Sequence, residues 1–128
     1  MQPLGIRALC QVGAAAGVVA IGSLNATLVA PGHTAKVNTK WKYAVHATRD
    51  GKSVAAKLTE QIVDPIGGKH PVTFANTNKP ITNWPFKGTF RDYIIWPAST
   101  RGVPLTLRLV VRSGGATKVI RYVVTPHA

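Results

Sequence analysis

Apolar and polar residues alternate with a period of two through much of this 128-residue chain. In the segment 105–112, leucine or valine occupies every second position, and the residues between them are Thr106, Arg108, Val110 and Arg112. The segment 39–48 alternates in the same way, with Trp41 and Tyr43 on its apolar side. This period is typical of a β-strand with one buried face, and neither segment has the 3.6-residue period of a helix.

Seven segments in all are predicted as strands, and turn-forming residues separate them. Asp50-Gly51 is a strong hairpin signal, because glycine accepts a positive φ without steric cost. Short strands at this spacing predict an all-β antiparallel sandwich. We expect the first, second and fifth strands to share one sheet and the third, sixth and seventh to form the other. The predicted strands are 23–29, 39–48, 54–63, 71–74, 87–96, 105–111 and 117–125.

The strand predicted over 54–63 carries one acidic residue on its apolar side. Leu58 and Ile62 share that side with Glu60. Glu60 therefore either points inward and is paired, or marks a β-bulge that shifts the phase of the strand.

The first twenty residues have the pattern of a secretory signal peptide. Arg7 is the only charged residue before His33, and an apolar run rich in glycine and alanine follows it at 13–21. A positively charged start, an apolar core and a small-residue exit define such a peptide. Cleavage is expected after Ala20, with Ala16 as an earlier alternative. Retention of the segment as a membrane anchor is the rival interpretation.

This interpretation divides the chain into a signal or anchor segment, 1–20, and a single domain, 21–128. The protein is then expected to be secreted or extracytoplasmic. If the segment is retained, residues 1–30 associate with a membrane.

The composition excludes several classes of site. Sixteen lysines and arginines face only four carboxylates, so the formal net charge is +12. Four carboxylates argue against paired-carboxylate catalysis, and a single cysteine excludes both an intrachain disulfide and a zinc site built on cysteines. A strongly basic balance instead indicates attraction to anionic partners. The four carboxylates are Asp50, Glu60, Asp64 and Asp92.

The run from 23 to 125 resembles the immunoglobulin-like or fibronectin type III-like modules of exported bacterial proteins. The resemblance rests on the strand with Trp41 and Tyr43, the Asp50-Gly51 turn, the aromatic strand 90–96 and the closing hairpin 105–124. It implies a seven-stranded immunoglobulin-like β-sandwich used for spacing, adhesion or recognition rather than for catalysis. The two bridging cysteines of antibody domains are missing.

We predict no catalytic residues, no metal site, no cofactor and no small-molecule substrate. Ser99 and Thr100 follow Pro97 without the strand–turn–helix context of a nucleophile elbow, although Asp92 and His70 are available elsewhere in the chain. No two histidines have the spacing that would preform a metal site on one strand or helix. The histidines are His33, His46, His70 and His127.

A basic stripe is the first candidate site. If Leu107 and Leu109 face the core, Arg108 and Arg112 point outward, and the neighbouring strands add cations on the same face. Lys40 and Lys42 are expected on the opposite sheet. The predicted stripe consists of Lys57, Arg108, Arg112 and Arg121.

Trp84 is the second candidate. It lies in Thr82-Asn83-Trp84-Pro85, a segment without a periodic face, so it is predicted either as an exposed recognition residue in a loop or as a cap on an open end of the sandwich.

The function predicted from these features is that of a non-enzymatic exported interaction or structural module of the cell envelope or extracellular space. The alternative is a basic domain that binds a polyanion, such as a cell-wall polymer, an acidic polysaccharide or a nucleic acid. The expected partner is accordingly a protein or an anionic polymer.

Overall fold

The computed structural model describes residues 23–74 and 77–128. The predicted signal or anchor segment, 1–20, lies outside them. Within the described residues the chain forms ten strands and one short 3₁₀ helix, Ala98–Thr100. The strands are β1 (Leu24–Val29), β2 (Thr34–Lys36), β3 (Lys40–Arg49), β4 (Lys52–Ser53), β5 (Ala55–Val63), β6 (Lys69–Pro71), β7 (Trp84–Lys87), β8 (Thr89–Ile95), β9 (Leu105–Ser113) and β10 (Ala116–His127).

The strands form two sheets, as expected for a β-sandwich. The larger sheet has six strands in the order β2-β10-β9-β5-β6, and β7 also pairs with β5. The smaller sheet has four strands, with β1, β4 and β8 all paired to β3. All pairs are antiparallel except β2 with β10, which run parallel.

The predicted division of the strands between the sheets is correct. The strands predicted first, second and fifth correspond to β1, β3 and β8, and those predicted third, sixth and seventh correspond to β5, β9 and β10. The predicted number of seven is too low, because β2, β4 and β7 have only two to four residues each and cannot show an alternation. The strand predicted over 71–74 is also displaced, since β6 ends at Pro71 and Thr73 forms only an isolated bridge with Pro80.

The hydrophobic core lies between the inner faces of the two sheets. Strand β3 contributes Trp41, Tyr43 and Val45, all at most 4% exposed. Strand β9 contributes Leu107 and Leu109, which are fully buried. These are the residues that the alternation predicts to face inward.

The chain crosses from one sheet to the other twice at the same corner of the sandwich. The chain passes from β4 to β5 at Val54 and from β7 to β8 at Gly88, and the Gly88 N–H donates to the Val54 carbonyl at 3.1 Å. Gly88 adopts φ 75°, and a Cβ there would lie 2.6 Å from Ser53 Oγ. The corner therefore requires glycine both for its backbone conformation and for the close approach of Ser53.

Core truncation tests the assigned phase of β9. Leu107→Ala and Leu109→Ala should each lower the free energy of unfolding by about 2–5 kcal/mol, because each deletes a fully buried side chain. Arg108→Ala, on the opposite face between them, should cost under about 1 kcal/mol. Urea titrations that rank Arg108 above the two leucines would show that the phase is inverted.

The corner is tested by comparing two glycines with the same φ of 75°, Gly88 and Gly51. Alanine at either position incurs about 1–2 kcal/mol for the left-handed conformation, but only Gly88 has a neighbour within van der Waals range of the added Cβ. Gly88→Ala should therefore destabilise the protein more than Gly51→Ala in chemical denaturation, and adding Ser53→Gly should recover part of the difference. Equal destabilisation at the two glycines would contradict the close approach.

Candidate functional site

The four residues of the basic stripe lie on the outer face of the larger sheet. Arg108 on β9 is directly opposite Arg121 on β10, and Arg112 is directly opposite Lys57 on β5. Lys57, Arg112 and Arg121 are exposed, and Arg108 is half-buried. The structure thus brings all four predicted residues together as two cross-strand pairs of like charge.

Amide side chains orient the two arginines of β9. Arg108 Nη1 donates to Gln61 Oε1, and Arg112 Nη1 donates to Asn83 Oδ1, each at 3.3 Å. The backbone N–H of Asn83 in turn donates to Thr59 Oγ1 at 3.0 Å, which ties the loop before β7 to the face. An amide oxygen carries no charge, so these hydrogen bonds position the guanidinium groups without neutralising them.

Aliphatic residues separate the cations. Val110 points to the outer face between Arg108 and Arg112, yet it is only 4% exposed, so neighbouring side chains cover it. Val119 and Val123 flank Arg121 and remain exposed at 39% and 47%. The sequence predicted that the arginines point outward but not the burial of Val110, which depends on the length of the side chains around it.

The outer face of the larger sheet carries no carboxylate among the described residues. Glu60 faces the core with an exposure of 1%, and Asp92 shares the inner side of β8 through its register with Tyr43. Asp50 lies in the β3–β4 turn, and Asp64 follows β5. The alternation of the strands therefore places Glu60 in the core and the half-buried Asp92 on the inner side of β8, and the other two carboxylates lie outside the strands of this face.

Glu60 is inward and paired, as one of the two sequence-based alternatives predicts. The register of β5 against β9 runs unbroken from Val63 to Lys57, so there is no bulge. The Tyr43 hydroxyl donates to Glu60 Oε1 at 2.5 Å, and Glu60 Oε2 is buried without a hydrogen-bond partner among the described residues.

Burial controls the charge of this pair. Loss of hydration raises the pKa of Glu60 to about 8, and the charge of Asp92 adds to the rise, while the Tyr43 hydrogen bond acts in the opposite direction. Burial also raises the pKa of Tyr43 far above its usual value. Glu60 is therefore mostly protonated at neutral pH and contributes little negative charge to the protein there.

An apolar cleft opens between the sheets at the far end of β5 and β8. Its volume is about 670 Å³, which is within the range of small-molecule sites, about 300–1,000 Å³. His70 Nε2 lies 2.9 Å from Asp64 Oδ2 on its exposed edge. Hydrogen bonds from His70 and then from the Gly68 N–H lower the pKa of Asp64. The cleft lining includes Ile62, Val72, Phe74, Ile94, Trp96 and Val103.

The polar residues weighed for catalysis are arranged differently from the sequence-based grouping. His70 contacts Asp64, whereas Asp92 lies on the inner side of β8. Ser99 and Thr100 line the cleft, and the Thr100 hydroxyl donates to the Pro97 carbonyl at 2.6 Å. That hydroxyl thus closes a local turn.

Trp84 does not lie in a loop. It begins strand β7 opposite Leu58, is half-buried, and packs edge-on against Phe74 with ring centroids 4.6 Å apart. The expectation of a loop was wrong because β7 is four residues long and contains Pro85, which an edge strand tolerates and a local pattern does not reveal.

Each histidine has a separate neighbour. His33 stacks on Tyr122 with centroids 4.1 Å apart, and His46 Nδ1 lies 3.0 Å from Thr89 Oγ1. His127 contacts the carbonyl of Ala128. In residues 23–74 and 77–128 no three histidine, cysteine or acidic side chains come together as a metal-binding group.

No family model, curated protein or solved structure matches this chain. The function proposed for it therefore depends on the geometry of the structure. In the part of the chain that the structure describes, no helix has the length and hydropathy needed to cross a bilayer.

The Glu60–Tyr43 pair makes stability depend on pH. An unfolded glutamate loses its proton near pH 4.5 and the folded one near 8, so the unfolded state binds fewer protons between these values. The free energy of unfolding should therefore fall as the pH rises from about 4.5 to 8, by a few kcal/mol.

Glu60→Gln should remove this slope, because glutamine still accepts the Tyr43 hydrogen bond but does not titrate. Urea unfolding of both proteins at pH 5, 6.5 and 8 measures the difference. Tyr43→Phe is the control, since it removes the hydrogen bond and leaves the titration in place. Parallel stability curves for wild type and Glu60→Gln would contradict the assignment.

Proposed function

We propose that this protein is a non-enzymatic, immunoglobulin-like binding module that binds anionic polymers on the outer face of β5, β9 and β10. The observation that carries the proposal is the pair of cation–cation neighbours on that face, Arg108 with Arg121 and Lys57 with Arg112.

The cost of placing like charges opposite each other supports a ligand at this position. Cross-strand neighbours have Cβ atoms about 4.5–5.5 Å apart, and like charges at that distance destabilise a sheet. A polyanion on the face offsets the repulsion and gains free energy by releasing its condensed counterions. The amide partners leave both arginines of β9 charged and oriented toward such a ligand.

The strand order supports the immunoglobulin-like type. In constant-type immunoglobulin domains the first, second and fifth strands share one sheet with the fourth, and the third, sixth and seventh form the other. The long strands of this protein follow the same division. The chain has a single cysteine in place of the bridging pair of antibody domains, and aromatic packing joins the two sheets in the core, where Trp41 of β3 and Tyr122 of β10 have ring centroids 6.1 Å apart.

The groups around the cations support a binding function rather than a catalytic one. Gln61 and Asn83 are amides, Thr59 is a hydroxyl, and Val110 and Val119 are aliphatic. None of these groups is a general base at neutral pH.

We place this function outside the cytoplasm, on the basis of the signal or anchor pattern in residues 1–20. The proposed partners are anionic polymers of the envelope or the extracellular space. If the segment stays attached, it holds the module at a membrane.

Charge neutralisation tests the face. With a duplex DNA oligonucleotide as the polyanionic probe, Arg108→Gln/Arg121→Gln should reduce the slope of log binding constant against log salt by about two, because two fewer phosphates are neutralised by the protein. The matched control is Lys52→Gln/Lys79→Gln, which removes the same charge from exposed residues outside the face and should change the slope by less than about one.

Fluorescence anisotropy at four salt concentrations gives the slopes, and thermal melts of the free proteins confirm that the variants fold. Equal changes in the two double variants would mean that net charge alone attracts the polymer, and the proposed site would be rejected.

A further inference from the structure

The outer face of the smaller sheet is also cationic. Strand β3 presents Lys40 and Lys42 on this face, and strand β8 presents Arg91. All three side chains are exposed. No outward position of β1, β3 or β8 carries a carboxylate, because the acidic residue of β8, Asp92, is on the inner side.

A groove runs across this face. Val29, Ala44 and Arg91 form one row across β1, β3 and β8. Because Ala44 is small and stands between two larger residues, the row is lowest at its centre. The groove has a volume of about 660 Å³, and its lining also includes Ala30, Pro31, Lys42, Tyr43 and Tyr93, together with the acidic residue Asp92 from the inner side of β8.

Lys42 and Arg91 line this groove, and Lys40 lies next to it. Lys42 is opposite Tyr93, and Ala44 is opposite Arg91, so Lys42 and Arg91 are diagonal neighbours about 7–8 Å apart, with their Cβ atoms somewhat closer. Lys40 Nζ lies over the Tyr93 ring, 4.8 Å from its centroid, which holds a third positive charge next to the groove. Two such cations can bind a single oxyanion or consecutive anionic groups of a chain.

The two outer faces point in opposite directions, because the inner faces of the sheets meet in the core. A stretch of polymer that lies across Arg108 and Arg121 therefore leaves Lys42 and Arg91 open to solvent on the other side.

We propose that the Lys42–Arg91 groove is a second site for a linear polyanion with an oxyanion on each repeating unit, and that one protein molecule bridges two polymer chains. This inference rests on the proposed function for the face of the larger sheet, and it adds a cross-linking role to it.

A sandwich-capture experiment tests the bridge. Polyphosphate is attached to a surface, the protein is bound and washed, and fluorescent polyphosphate is then added. A parallel series with a uronate polysaccharide distinguishes phosphate from carboxylate as the oxyanion. Wild-type protein should capture the second chain, and light scattering should show the free protein to be monomeric.

Substitutions in the groove should separate binding from bridging. Lys42→Gln/Arg91→Gln should bind the surface polymer within about twofold of wild type and capture at least tenfold less of the second chain. Ala44→Leu, which fills the groove without changing the charge, should also reduce capture. Lys52→Gln/Lys79→Gln removes the same amount of charge outside both faces and should capture as wild type does.

Wild-type capture by Lys42→Gln/Arg91→Gln would overturn the second site, as would a failure of the monomeric wild-type protein to capture any polymer. The first face fails independently if adding Arg108→Gln/Arg121→Gln to the Lys42→Gln/Arg91→Gln variant leaves its binding to the surface polymer unchanged, because the groove can then no longer hold the polymer.

Discussion

The packing of Leu107 and Leu109 against the smaller sheet fixes which residues of β9 face the core. Strand β9 pairs with both β5 and β10 in the larger sheet, so its orientation sets theirs. Because both leucines are fully buried, Arg108 between them has no alternative to the outer face. The pairings of β9 with β5 and β10 then bring Lys57 and Arg121 beside its arginines. The basic surface is thus a consequence of core packing on the other side of the same strand.

The same alternation removes negative charge from the surface. Glu60 and Asp92 occupy inward positions on β5 and β8, and burial keeps Glu60 mostly protonated at neutral pH. With so few carboxylates in the chain, this placement leaves both outer faces of the sandwich cationic. The polar pair that results is held by the Tyr43 hydroxyl, which satisfies one of the two oxygens of Glu60.

The two ends of the sandwich differ in how closely the two sheets approach each other. At one end the strand crossings at Val54 and Gly88 draw the sheets together through backbone hydrogen bonds. At the other end β6 and β8 belong to different sheets and do not pair, so the apolar cleft opens between them. Asp64 and His70 flank this apolar cleft at its edge, and no lysine or arginine of the described residues lines it, so it offers a polyanion no cluster of cations comparable to those of the outer faces.

The sequence by itself determined the features that depend on local alternation. The inward leucines of β9 and its outward arginines follow from a period of two, and the Asp50-Gly51 turn follows from residues that adopt a positive φ, as both do here. For Glu60 the period allowed either an inward position or a bulge, and the unbroken register of β5 against β9 decided between them. The division of the long strands between the sheets follows from their order and from the turns between them.

Only the tertiary structure decided which residues of different strands meet. Trp84 lies in a strand because β5 pairs with it, and Asn83 reaches Arg112 because the preceding loop is tied to Thr59. The groove beside Lys42 exists because Ala44 falls in one row with Val29 and Arg91. Alternation is a property of one strand, whereas register is a property of two, and a contact between distant segments has no signal in either segment alone.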